Sequence, residues 1–224
     1  MAQAVAKLLI AALAWFAPLP QQPAQPSVRR QPAPAMGVGG APWLVRPQRE
    51  EEERPEELLD ALKIREGDVV ADVGCGVGYF SIRIARRVGK SGRVLGVDIQ
   101  QGMLDLLAEN KNKAGLDNID LILGTETDPR LSVASVDLVL MVDVYHELSH
   151  PAEMMEKIRA ALKPAGRLVL VEYRGEDPSV PIKPLHKMTE RQVIEEIVPC
   201  GFRHLETLRF LPRQHIVIFG KQQM

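Results

Sequence analysis

The chain has 224 residues, 46% of them hydrophobic and 25% charged, enough for one well-packed domain with little left over for a second. A net charge of −1 and the lack of a long basic run exclude a protein that holds nucleic acid mainly through its phosphates, and a small molecule is the expected partner. Cys75 and Cys200 stand far apart without a closely spaced second ligand, so both read as free thiols.

The N-terminus differs in composition from the rest of the chain. Lys7 precedes the apolar run Leu8 to Ala17, which is too short to span a bilayer easily, and a Pro/Gln/Ala-rich stretch continues to Pro42. Residues 1–24 therefore read as a signal-like or membrane-targeting segment. That implies an exported, periplasmic or membrane-associated protein, with a cytoplasmic one as the alternative, because the cleavage site is poor. Residues 25–48 read as a Pro/Gln-rich linker and 49–224 as the folded domain, with Trp43 and Leu44 expected to pack on it. Oligomeric state is not legible.

Pro55 and the acids behind it start a short helix through Leu62. Apolar runs then alternate with amphipathic stretches: Val69–Val73, Tyr79–Val88, Val94–Val97, Met103–Ala114, Ile119–Leu123, Val136–Val142, Ala152–Leu162 and Arg167–Val171. This alternation predicts an α/β fold, a doubly wound and mostly parallel sheet with crossover helices on both faces. Pro164-Ala-Gly166 is expected to end the helix before the fifth strand. After a helix around Thr189–Val198, the runs His204–Phe210 and His215–Phe219 are linked so briefly that they predict a C-terminal antiparallel hairpin, giving seven strands.

Between the first strand and its helix, Gly74, Gly76 and Gly78 are two residues apart, where the backbone must turn sharply and let a ligand approach. Asp98 closes the next strand, where a carboxylate can accept hydrogen bonds from two ribose hydroxyls. A dinucleotide loop would carry its third glycine at 79, which is tyrosine, so an NAD-dependent oxidoreductase is the weaker reading.

Asp72-x-Gly-x-Gly-x-Gly78 resembles the first motif of the class I S-adenosylmethionine-dependent methyltransferase family, of the type 11/25-like kind. Val94–Asp98 resembles its second motif and Asp137–Asp143 its fourth-strand motif. The resemblance runs through Lys163–Leu170 to the terminal hairpin. It implies a Rossmann-like fold, S-adenosyl-L-methionine as cofactor and transfer of its methyl group to a small-molecule acceptor; a catalytically silent cofactor-binding or sensing protein is the alternative. It also implies that Gly74, Cys75, Gly76 and Gly78 lie under the methionine part, with Asp72 helping to hold the ammonium. Asp98 would take the ribose, and Ile99 and Met103 would pack near the adenine. The family's usual Gly-Asp after the third strand is Gly124-Thr125 here, leaving Thr125 and Glu126 as the candidate adenine contacts.

Ligands of open parallel sheets bind beyond the carboxyl ends of the strands. That rule gathers Asp143, Tyr145, His146 and Glu147 after the fourth strand, Glu172, Tyr173 and Arg174 after the fifth, and Arg213 and His215 at the hairpin turn. The insertion Gly175–Lys187, with His186, is expected to cover the pocket. Asp143 counts with the cofactor set and the others with the acceptor, and His146 is the candidate general base. A metal is not expected. Asp143 and Glu172 are too few oxygen ligands for magnesium, and His146, His186 and His215 show no local zinc-type spacing.

Overall fold

A computed structural model of the chain describes residues 30–222. The signal-like segment 1–24 lies outside the described residues.

Seven strands form one sheet: β1 (Val69–Val73), β2 (Arg93–Asp98), β3 (Ile119–Leu123), β4 (Val136–Val142), β5 (Leu162–Tyr173), β6 (Phe202–Leu208) and β7 (Gln214–Lys221). Their order is β3-β2-β1-β4-β5-β7-β6. β1 to β5 run parallel, and β7 is antiparallel to both β5 and β6. The chain winds outward from β1 to β3, then returns to place β4 on the other side of β1. At that reversal the loops after β1 and β4 diverge and leave a crevice at the strand ends.

Residue alternation sorts the core into two layers. Val70, Leu138, Leu140 and Val142 face α2 (Pro55–Ala61), α3 (Tyr79–Val88) and α4 (Gln101–Lys113), meeting Leu58, Ile84 and Leu107. Ala71, Val73, Val139 and Met141 point the other way, to Met155 and Ile158 of α5 (Pro151–Ala161) and Val193 and Ile197 of α6 (Glu190–Ile197). Strands covered on both faces are apolar throughout, which is why β4 reads as an uninterrupted hydrophobic run.

β5 and β6 differ in extent from the sequence reading. β5 begins at Leu162 rather than Arg167, because Leu162 pairs with Val136 before a bulge carries the Pro-Ala-Gly stretch out of register. β6 starts at Phe202, whose ring is fully buried against the α5–α6 layer, and it ends before Phe210, which is 41% exposed.

The segment expected as a linker packs on the domain from Arg30 onward. Arg30 donates from Nη1 and Nη2 to the carbonyls of His146 (2.6 Å) and Tyr145 (2.7 Å), and from Nε to Glu196. The Ala33 N–H reaches the His146 carbonyl, and Gln100 Nε2 donates to the Met36 carbonyl. A 3-10 turn at Val38–Val45 then sets Ala41 and Leu44 against Val77 and Met103. Leu44 packs as expected, whereas Trp43 stays 53% exposed beneath the Arg46 guanidinium. The short α1 (Arg49–Glu53) buries an Arg49–Glu53 ion pair of 2.7 Å. Prolines confine the backbone of this stretch before it docks, which lowers the entropy lost in ordering it. A chain starting at Pro55 should therefore melt several degrees below one starting at Gln25 in scanning calorimetry; equal melting would show that the cover adds no stability.

Candidate functional site

The loop after β1 is fastened to the end of β2. The N–H groups of Gly74 and Cys75 both donate to the Val97 carbonyl (2.8 and 3.0 Å), and the Gly76 N–H donates to Asp98 Oδ2 at 2.9 Å. Asp98 Oδ1 accepts from the Gln100 N–H, also at 2.9 Å. Gly74 sits at φ +76°, and a Cβ there would lie 2.4 Å from a Val144 methyl. Gly78, at φ +86°, would drive a Cβ to 2.1 Å from Leu107. Neither position admits a side chain.

Around this loop opens a cavity of about 810 Å³, within the size range of small-molecule sites. Asp72, Gly74, Cys75, Gly76, Asp98, Ile99, Met103, Thr125 and Glu126 line one end. Gly78 serves instead as the left-handed cap of α3. Thr125 Oγ1 is occupied by the Asp128 N–H, and Glu126, exposed, accepts from Ser149 Oγ at 3.1 Å through Oε2.

Asp72 is buried and accepts from Ser81 Oγ at 2.5 Å. Burial pushes its carboxyl up to about 6, against the opposing Ser81 hydrogen bond and Arg49 charge. Burial likewise raises Asp98, opposed by the backbone N–H bonds it accepts. Asp143 follows β4 at φ +55°, a strained conformation for a residue with a side chain, and its Oδ1 is buried without a partner. Its Oδ2 accepts from Gln214 Nε2 at 2.8 Å. Burial, then the charges of Glu53 and Glu172, push the Asp143 carboxyl well above the usual carboxylate range.

The other end belongs to His146, Glu147, Tyr173 and His186, with Pro181, Ile182 and Lys183 from the insertion after β5. An isolated bridge between Arg174 and Met188 closes the base of that insertion. Glu172 is fully buried behind His146, binding its Nδ1 at 2.5 Å and the Tyr145 N–H at 2.9 Å. Burial alone would lower the His146 pKa, but Glu172's charge and hydrogen bond raise it above the ordinary histidine value. Burial, His146 and Lys183 lower that of His186, and burial pushes Glu147 up to about 7.

Several expected acceptor contacts lie elsewhere. Tyr145 is buried away from the cavity, its hydroxyl on Glu196 at 2.9 Å. The Arg174 guanidinium binds the carbonyls of Leu211, Pro212 and Gln214 at the base of the hairpin turn. Arg213 pairs with Glu52, and His215 is buried opposite Glu172 in the β5–β7 register. The hairpin turn thus meets the site through Gln214. Sequence reasoning missed Ala33, Met36, Leu44, Arg46, Arg49 and Glu53, all of which line the cavity from the N-terminal cover. Trp43 and Leu44, apolar in a polar leader, are the signal that could have found them.

A glycine loop, an acid at the end of β2 and a 3-2-1-4-5-7-6 sheet define a class I methyltransferase architecture. A family-wide profile described as "Methyltransferase domain" matches residues 64–203, and the chain belongs to that family. It is similar to a SAM-dependent methyltransferase from Aquifex aeolicus, at 26% identity and a TM-score of 0.78, over 83% of this chain and 98% of that one. A demethylmenaquinone methyltransferase of Oceanobacillus iheyensis is 26% identical over 52% of this chain and 49% of its own length. The [4+2]-cyclase SpnF shares the fold, at 18% identity and a TM-score of 0.64, over 75% of this chain and 81% of that one. The chain spans about half the length of the curated relatives it matches.

S-adenosylmethionine is therefore the cofactor, and the residues fit it. Gly74 and Gly76 present bare backbone, each Asp98 oxygen keeps a lone pair beyond its backbone bond, and Asp143 Oδ1 waits for a donor. Asp98→Ala should weaken cofactor binding by about 1–3 kcal/mol, read by calorimetric titration; unchanged affinity in a folded variant would remove Asp98 from the site. The cofactor's positive charge favours ionised Asp72, whose proton is lost as pH rises through about 6. Affinity should fall as pH drops from 8 to 5, and Asp72→Asn should flatten that slope. A pH-independent dissociation constant in the parent chain would exclude Asp72 from contact.

Proposed function

We propose that this chain transfers the methyl group of S-adenosylmethionine to a small-molecule acceptor seated between Tyr173, His146 and His186. One observation carries the reading: the Glu172-held His146 imidazole opens into the same cavity as the glycine loop and Asp98. The bound cofactor supplies a methyl group already activated by a sulfonium. The chain's own residues then have to position the acceptor, exclude water and help remove its proton.

Positioning accounts for much of the rate in such a displacement. Tyr173, His146 and His186 would hold the acceptor in the same cavity as the glycine loop and Asp98, which would hold the cofactor that supplies the methyl group. Ala33, Pro34, Ala35, Pro181 and Ile182 add apolar surface to the cavity lining, which favours a partly apolar acceptor. The relatives named for demethylmenaquinone support a small-molecule acceptor.

Glu172 holds His146 Nδ1 so that Nε2 faces His186 Nδ1, 3.1 Å away, beside the proposed acceptor. His146→Ala should lower the transfer rate by about 100-fold, within the range for losing acid–base assistance, and leave cofactor affinity within about twofold. Single-turnover transfer with excess cofactor reads the first and calorimetry the second. An undiminished rate in the folded variant would reject assistance by His146 and leave positioning as the mechanism.

A further inference from the structure

Three donor atoms converge at the acceptor end, and none of them is needed to hold the cofactor. His146 Nε2 and His186 Nδ1 stand 3.1 Å apart. A Glu147 oxygen joins them, so that all three lie within 4.8 Å of one another. The turn after β4 supplies His146 and Glu147, and the insertion after β5 supplies His186.

The surroundings suit coordination. Glu172 engages His146 Nδ1 at 2.5 Å, which leaves the Nε2 lone pair directed outward; a carboxylate behind the imidazole is the support that metal-bound histidines generally have. The two rings are nearly perpendicular, at 80° with centroids 5.1 Å apart, so their nitrogens meet at their edges instead of stacking. A hydrogen bond between the histidines accounts for the 3.1 Å contact, and Glu147, on the same turn as His146 and held by the Met36 N–H, adds a carboxylate that this contact does not require.

We propose that His146, Glu147 and His186 form a divalent-metal site, best matched to zinc, with an open position facing the cavity for the acceptor's thiol or hydroxyl. Two imidazoles, one carboxylate and a vacant fourth position make a donor set that zinc accepts in catalytic sites. With zinc–ligand bonds of about 2.0–2.1 Å, neighbouring tetrahedral ligand atoms are roughly 3.3 Å apart. The histidine pair already meets that spacing, and Glu147 has to move by about 1.5 Å or less. His215, the third imidazole that the sequence offers, lies outside the cavity lining, and Glu147 takes its place.

The acceptor role rests on the methyltransferase reading. With Nε2 on zinc, His146 assists by holding the metal instead of by accepting a proton: a thiol or hydroxyl at the open position releases its proton to solvent and keeps the electron pair that attacks the methyl carbon. The carbon–sulfur pair leaves on the cofactor's sulfur, so no further reactant is required.

The test uses the full chain, stripped with EDTA and titrated with zinc against a chromophoric chelator, with cobalt(II) absorption as a second probe. Cofactor affinity is measured on the same samples. One zinc per chain and a tetrahedral cobalt band are expected. His186→Ala and Glu147→Gln should each abolish both signals while still binding cofactor, and His204→Ala, on β6, should retain them. Glu172→Gln, a change to a positioning residue, should weaken zinc by roughly 10–100-fold. A chain that binds cofactor but no stoichiometric zinc overturns the metal site and leaves the methyltransferase reading intact. Zinc uptake indifferent to His186→Ala and Glu147→Gln also overturns it. Zinc binding without cofactor binding supports the metal site and removes the methyltransferase reading instead.

Discussion

The backbone tie between the loop after β1 and the end of β2 is the constraint on which the site depends. Two N–H groups on the Val97 carbonyl and one on Asp98 hold Gly74, Cys75 and Gly76 in a left-handed path that only glycine follows without strain at 74 and 76. The same bonds orient Asp98, leaving one lone pair of each oxygen for a ligand. The floor of the cavity and its acid are thus one hydrogen-bonded unit, and the crevice at the β1–β4 reversal gives it an opening.

A second unit is electrostatic. Glu53, Asp72, Asp143 and Glu172 crowd around the centre of the molecule, and Arg46 and Arg49 face them from the N-terminal cover. Burial first, and then the charges of Glu53 and Glu172, raise Asp143, which makes the cover's arginines part of the site's charge balance. The cover therefore does more than shield apolar surface. Through Arg30, Ala33 and Met36 it also holds the turn that carries His146 and the loop that follows Asp98.

The fold alone does not select a reaction. Structures of this architecture include a [4+2]-cyclase as well as methyltransferases. At the far end of the cavity a buried glutamate aligns one histidine toward a second, and a reaction has to be argued from such side chains.

Periodicity and glycine spacing by themselves determined the sheet, its covering helices, the terminal hairpin and a ligand-approach loop next to Asp98, and the family resemblance supplied the cofactor. Each depends on residues close in sequence or on an alternation that a doubly covered sheet imposes. Tertiary structure decided the rest. Tyr145 turns to Glu196 and Arg213 to Glu52, His215 takes its place from β5–β7 pairing, and the hairpin turn absorbs the Arg174 guanidinium. That a Pro-rich leader forms a wall of the site, and that His186 meets His146, 40 positions earlier, depends on contacts between segments with no shared period. Such contacts are set by which surfaces remain uncovered once the sheet has formed, and local sequence marks them only faintly, as Leu44 does in the leader.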